Sequence, residues 1–157
     1  MQKISTFLWF DDQAEEAAAF YTSVFPNSRI TQVTHYGEAG PREAGSVMTV
    51  AFELAGREYV ALNGGPEFTF TEAVSLQVEC EDQREIDELW AKLTADGGQE
   101  GPCGWLKDRF GLSWQITPRV LLDLIGDRDR AKADRVMAAV LRMQKLDIRQ
   151  LLDAAEG

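Results

Sequence analysis

The chain has 157 residues, of which 45% are hydrophobic and 27% charged: enough for one ordinary domain or two small repeated halves, and too apolar for a disordered chain. Sixteen basic against twenty-six acidic residues leave a net charge of −10, a field that repels a nucleic-acid backbone or an anionic membrane surface. One histidine, His35, and two cysteines, Cys80 and Cys103, exclude a multi-histidine metal site within one chain, a zinc finger and a disulfide framework. No run of about 18 apolar residues offers a membrane span. Asp11 and Asp12 follow the first ten residues too soon for the apolar core of a signal peptide, so a cytoplasmic protein is expected.

Residues 4–10 are β-rich and read as a strand. Asp12 with Glu15 three positions on has capping-box spacing. Ala17, Phe20, Tyr21, Val24 and Phe25 follow at helical spacing, and Pro26-Asn27 closes that helix. Extended segments come next at 29–36, 46–54 and 57–63, the last two joined by a turn at Ala55-Gly56. Gly64-Gly65-Pro66 ends the half, whose order is β-α-β-β-β.

The second half repeats this punctuation. Residues 73–80 alternate at period two, as a half-buried strand does. Asp82 and Glu85 cap a helix carrying Ile86, Leu89, Trp90 and Leu93, stopped by Gly97-Gly98. Residues 102–108 and 111–117 read as a hairpin around Arg109-Phe110-Gly111, and Pro118 bars continuation. Asp12-Gln13-Ala14-Glu15 and Asp82-Gln83-Arg84-Glu85 match at three of four positions, 70 residues apart. Capping alone accounts for the Asp and Glu of that match, but the element order repeats too, and duplication explains both.

Two modules, 3–66 and 73–118, thus make up a domain over 1–118, and 119–157 form a helical extension. In it Asp127 caps a helix with Ala133, Val136, Met137, Val140 and Leu141 on one side, and Asp147 caps a shorter one carrying Ile148, Leu151 and Leu152. Such amphipathic helices need an apolar surface to cover, either their own sheet or a second subunit.

With these elements placed, the residues resemble a known superfamily. Two β-α-β-β-β units, with Phe20-Tyr21 late in the first helix and Asp108-x-x-Gly111-x-x-Trp114-Gln115 leading into the last strand, resemble the vicinal oxygen chelate proteins, which include glyoxalase I, bleomycin-resistance proteins and extradiol dioxygenases. Phe7-Leu8-Trp9-Phe10, Ala61-Leu62-Asn63-Gly64-Gly65, Cys103-Gly104-Trp105-Leu106-Lys107-Asp108 and Trp114-Gln115 are similar to the PhnB-like group, which often carries the label 3-demethylubiquinone-9 3-methyltransferase. The resemblance covers residues 3–118, with Met143-x-Lys145-x-Asp147-Ile148 of the tail also in keeping. It implies an α+β fold of two βαβββ modules forming a curved mixed sheet, a homodimer, and a cleft in which the superfamily usually holds a metal. It does not bring an activity, because one fold serves many chemistries. Methyl transfer in particular lacks its equipment. The only candidate turn, Asn63-Gly64-Gly65-Pro66, has proline where a nucleotide-type crevice would open a helix, and no long α/β alternation follows.

In the resembled fold the helices pack outside the sheet, so alternation sorts the side chains. Val74, Leu76, Val78 and Cys80 belong under the helix, and Ser75, Gln77 and Glu79 then face the cleft. The 70-residue offset maps these onto Ser5, Phe7 and Trp9. In the closing strands Tyr59, Ala61 and Asn63 share a face, as do Ser113, Gln115 and Thr117. The expected ligand-binding set is Ser5, Phe7, Trp9, Asn63, Ser75, Gln77 and Gln115, with Glu79 at its margin.

Ser5 and Ser75 stand where the superfamily's first-strand metal ligands would be, Asn63 lies near one closing-strand position, and Gln115 replaces the usual closing Glu. Neutral amides and hydroxyls are weak donors for a divalent ion, so neither a metal nor another cofactor is expected. Asp11 and Asp12 are explained by helix capping, Cys103 as a small filler in a turn, Lys107 and Asp108 as a surface ion pair, and His35 as an exposed strand residue. The positive signal is aromatic. Phe7 and Trp9 beside neutral amides suit a flat, partly apolar molecule with carbonyl or amide groups, sequestered without turnover. A metal-dependent lyase, isomerase or dioxygenase, and a non-catalytic oligomerisation or regulatory module, are the alternatives.

Overall fold

The computed structural model describes residues 3–157, which divide into two compact units, one ending at Phe70 and one running from Thr71 to Gly157. In the first unit, β1 (Thr6–Phe10), α1 (Ala14–Val24), β2 (Arg29–His35), β3 (Val47–Leu54) and β4 (Arg57–Asn63) follow one another. They build a sheet of order β1-β4-β3-β2 in which only β1 and β4 run parallel. The tight β3–β4 connection places Ala55 and Gly56 at φ +49° and +84°, the left-handed pair that a two-residue hairpin turn requires. One face of the sheet, with Leu8, Phe10, Val50, Phe52, Leu54 and Ala61, is buried with Ala14, Ala17, Ala18, Tyr21 and Val24 of α1. Tyr21 and Phe52 meet there with ring centroids 6.2 Å apart. The helix stops at Val24 because Phe25 precedes a proline and is extended.

The start of α1 departs from expectation. Asp12 does not cap it: Gln13 occupies the cap position without a side-chain bond, and the first helical N–H, that of Ala14, donates instead to Asn63 Oδ1 at 2.8 Å. A side chain 49 residues away thus supplies the acceptor that local sequence was expected to give.

The second unit repeats the topology. β5 (Ser75–Cys80), α2 (Gln83–Thr94), β6 (Gln99–Glu100), β7 (Trp105–Lys107) and β8 (Ser113–Pro118) form a sheet of order β5-β8-β7-β6, again with only the first and last strands parallel. Here the local cap is present, with Asp82 accepting from the Glu85 N–H at 2.9 Å. β6, two residues long, is a strand the periodicity did not reveal.

Asp108 is not a surface residue. It is buried, its Oδ1 accepts the N–H groups of Phe110 and Leu112, and its Oδ2 accepts Trp114 Nε1–H at 2.9 Å. With Gly111 at φ +90°, it folds the β7–β8 loop and pins the buried Trp114, while Lys107 pairs with Glu72. Asp108-x-x-Gly111-x-x-Trp114 is therefore a turn-and-anchor device.

The tail contains three helices, α3 (Arg119–Ile125), α4 (Arg130–Val140) and α5 (Ile148–Glu156). α4 is capped by Asp129, not Asp127, which accepts from the Asp129 N–H and pairs with Lys132. Asp147 caps α5 as expected, accepting from Gln150 N–H. Leu121, Leu124, Val136, Val140, Leu146 and Leu151 form one buried cluster, and Cys103 packs against it. The tail covers its own unit. The N–H groups of Cys103 and Gly104 donate to the carbonyls of Met143 and Gln144, both at 2.8 Å. Gln83 at the start of α2 donates to Leu146 O and accepts from Ile148 N–H. The repeated glutamine of the capping motif thus serves, in the second unit, as a latch for the tail. No helix among the described residues is long and apolar enough to cross a membrane.

Candidate functional site

Strand pairing decides which side chains share a face, because directly opposed residues point the same way and successive ones alternate. In the second unit Ser75 opposes Ser113, Gln77 opposes Gln115, and Glu79 opposes Thr117 across the parallel β5–β8 pair. Across β7–β8, Trp105 opposes Gln115 and Lys107 opposes Ser113. Ser75, Gln77, Ser113, Gln115, Thr117, Trp105 and Lys107 therefore share one face, and Leu106, Trp114 and Ile116 are buried on the other.

Hydrogen bonds knit this face. Gln115 Nε2 donates to Ser75 Oγ at 2.9 Å, and Gln77 Nε2 reaches Thr117 Oγ1 at 3.4 Å. Both amides are thereby oriented, and among the described residues nothing donates to Gln77 Oε1 or Gln115 Oε1. Glu79 is exposed and lies 3.6 Å from Arg119, which also holds Glu81, so its carboxylate is a rim charge. Cys80, on the opposite face, is sealed under α2. Burial above all, with Glu85 nearby, pushes its thiol up to about 12, so it is no nucleophile.

The first unit presents a different surface. Phe7 opposes Val60 and Trp9 opposes Leu62, so this face is apolar along β1 and β4, and it turns polar at Thr49 and Thr34 further across the sheet. Phe7 is 58% exposed. Trp9 is half-buried, donates through Nε1 to Gly65 O at 2.9 Å, and meets Phe68 edge to face at 5.0 Å. A Cβ on Gly64 would lie 2.3 Å from the Trp9 ring, so the Gly64-Gly65 turn is the seat of an indole. Ser5 lies ahead of β1, exposed.

Asn63 is not on this face. It opposes Phe10, the buried side of the strand, and is itself 7% exposed. Oδ1 is taken by Ala14 N–H, and Nδ2 donates to Val47 O at 3.2 Å. Tyr59, Ala61 and Asn63 share a face, as alternation implies, but it is the core face: Leu62, not Asn63, stands beside Trp9. Ser75, Gln77 and Gln115 are thus brought together in the second unit, Phe7 and Trp9 share a face in the first, and Asn63 belongs to the core. Thr117, Ser113, Trp105 and Lys107 join the polar face; for Ser113 and Thr117 the same parity as Gln115 was the available signal.

The positions that resemble superfamily metal ligands hold Ser5, Ser75, Gln115 and Asn63. Two are hydroxyls, one is an amide already bonded to one of them, and one is turned into the core. Such neutral donors do not fit a tightly bound divalent ion. No group of three or more His, Cys, Asp or Glu placed to hold a metal occurs among the described residues.

Comparison with known proteins identifies the family and the fold. The family model described as 3-demethylubiquinone-9 3-methyltransferase matches residues 2–117. A Bacillus cereus PhnB protein, itself named only provisionally as such a methyltransferase, is 41% identical; the match covers 74% of this chain and 99% of that one, with a TM-score of 0.66. A Pseudomonas aeruginosa protein shares the fold at 18% identity and TM-score 0.61, over 75% of this chain and 98% of its own. The fosfomycin resistance protein FosX of Listeria monocytogenes shares it at 15% identity and TM-score 0.53, over 75% and 93%. Among curated proteins none matches. The chain belongs to the 3-demethylubiquinone-9 3-methyltransferase, or PhnB-like, family.

Proposed function

We propose that this chain is a small-molecule-binding member of its family. It takes a flat, partly apolar ligand with carbonyl or amide groups, through neutral side chains and without a metal. The observation that carries this reading is the oriented pair Gln77 and Gln115. Opposed on β5 and β8, each is held by a hydroxyl partner and has an amide oxygen left to accept from a ligand. Trp105 beside Gln115 supplies a surface for stacking within the same unit. The neutral donor set favours holding over Lewis-acid chemistry. Methyl transfer has no support in the Asn63-Gly64-Gly65-Pro66 turn, since Gly64-Gly65 seats Trp9 and the next element is strand β5 rather than a helix.

Native mass spectrometry of freshly purified protein tests the proposal. It should show a dimer, as the family resemblance suggests, with a co-purifying organic molecule and no stoichiometric metal. Gln115→Ala should weaken retention of that molecule by about tenfold, as expected for loss of an oriented amide, and shift stability little. One Zn, Ni, Mn or Fe per chain would defeat the reading, as would unchanged retention by Gln115→Ala.

A further inference from the structure

We infer that the second unit carries a subsite for a single small, uncharged ring bearing a hydroxyl or carbonyl, anchored by Ser113. The inference rests on the small-molecule reading and specifies what one end of the ligand must be. Beside the β7–β8 pair lies a cavity of about 150 Å³, walled by Pro102, Trp105, Leu106 and the Lys107 stem, with Ser113 also on its lining. In another protein an engineered apolar cavity of about that volume takes up one benzene molecule, so the space suits one six-membered ring. Trp105 offers such a ring an aromatic neighbour.

Ser113 makes the cavity specific. It is 1% exposed, and its Oγ is the one buried side-chain polar atom left without a hydrogen-bond partner among the described residues. Its register partner Lys107 places it on the face that carries the cavity, and its neighbour across β5 is Ser75. A buried hydroxyl without a partner costs stability, and a ligand hydroxyl or carbonyl would relieve that cost. Charge narrows the choice further. Glu72 and Glu100 stand at the lining, Lys107 is already paired with Glu72, and Glu100 already accepts from Trp90 Nε1. With two carboxylates to one ammonium in a chain of net charge −10, a carboxylate-bearing ring is disfavoured. Trp105 opposes Gln115, so substituents leaving the ring along the sheet reach the Gln115–Ser75 pair.

Fluorine NMR titrations of the intact protein with 4-fluorophenol, fluorobenzene and 4-fluorobenzoate test this. Wild type should bind 4-fluorophenol about fivefold tighter than the other two, the size of one net hydrogen bond. Ser113→Ala should abolish that preference without lowering Tm, because it removes an unsatisfied group. Gln115→Ala should keep the preference, even though it weakens retention of the natural ligand. Equal binding of all three probes by wild type overturns the subsite, and so does a phenol preference that survives Ser113→Ala. A crystal soaked with 4-fluorophenol that shows only an ordered water on Ser113 Oγ also overturns it. If Gln115→Ala still loses the co-purifying molecule under any of these results, the subsite alone falls.

Discussion

Replacing Asn63 by alanine separates fold from function, because this buried side chain joins three elements through bonds within the first unit. The substitution removes the acceptor for the Ala14 N–H at the start of α1 and the donor to Val47 O on β3. The Tyr36 hydroxyl still reaches the main-chain carbonyl of residue 63, at 2.6 Å, and should hold the strand in place. Loss of a helix cap is worth about 1 kcal/mol. Because the stranded Ala14 N–H is fully buried, that rises to about 2 kcal/mol, and the half-buried Val47 carbonyl, whose bond is long, adds about 1 kcal/mol. A total of about 3 kcal/mol lowers Tm by about 10 °C in a chain of this length. Asn63→Asp should fall between the two, since it keeps an acceptor at a helix N-terminus but turns a second acceptor on Val47 O. Its deficit should shrink in acid, where a protonated carboxyl can donate to that carbonyl. Thermal unfolding followed by circular dichroism, with ligand retention measured well below Tm, checks all three proteins. An Asn63→Ala protein that melts within about 2 °C of wild type but has lost its ligand would refute the reasoning and return Asn63 to the binding face.

Gln83→Ala should loosen the tail while leaving the sheets folded, because it cuts the bonds to Leu146 O and Ile148 N–H; hydrogen exchange should quicken first at Ile148 and along α5. Unchanged protection there would mean that the apolar cluster alone holds the tail. The same junction is acid-sensitive. A hydrogen bond from Lys145, then one from Gln83, holds the Asp87 carboxyl below its ordinary value of 3.8. Because the folded-state value is the depressed one, this contribution is fully present above the ordinary value and is lost as pH falls through the folded value. NMR signals of α5 should therefore shift ahead of those of the sheets on acidification, and Asp87→Asn should erase that lead; a tail that loosens on raising the pH instead would contradict the assignment.

What could be read from the residues follows the range of the interactions involved. Asp82 and Asp147 cap helices through N–H groups three residues on, so their role is written locally. Asp12 has the same signature, yet the Ala14 N–H is taken by Asn63, a competitor that no local pattern contains. Alternation placed Ser75, Gln77 and Gln115 on one face because each strand carries its own parity. The same parity groups Tyr59, Ala61 and Asn63, but parity alone does not say which face is buried, and only pairing with Phe10 puts Asn63 on the core side. β6 escaped notice because two residues hold no period, and α3 because a seven-residue helix starting directly after Pro118 has no polar cap to announce it. Asp108 was the least legible. A carboxylate in a hairpin reads as surface charge, and its burial rests on three N–H donors that only the folded loop brings together.

The two units show how one topology divides its labour. With Asp12 and Asp82 aligned, the parallel pair at one edge of the second sheet opposes Gln77 to Gln115, and the corresponding pair of the first opposes Phe7 to Val60. The helix-facing side follows the reverse pattern: the first unit places a polar Asn63 there, beside Phe10, and the second places Pro118 beside Cys80. Since period-two alternation isolates the two faces of a strand, each copy can exchange polar for apolar residues on one face without disturbing the other. The first unit commits Asn63 to joining strand and helix, and its parallel pair presents Phe7 and Trp9 on the open face. The second caps its helix locally through Asp82, which frees the strand's own amides for the open face. A duplicated sheet whose copies differ in this way needs only one face rich in hydrogen-bonding groups to bind a ligand, and in this chain that face lies on β5 and β8.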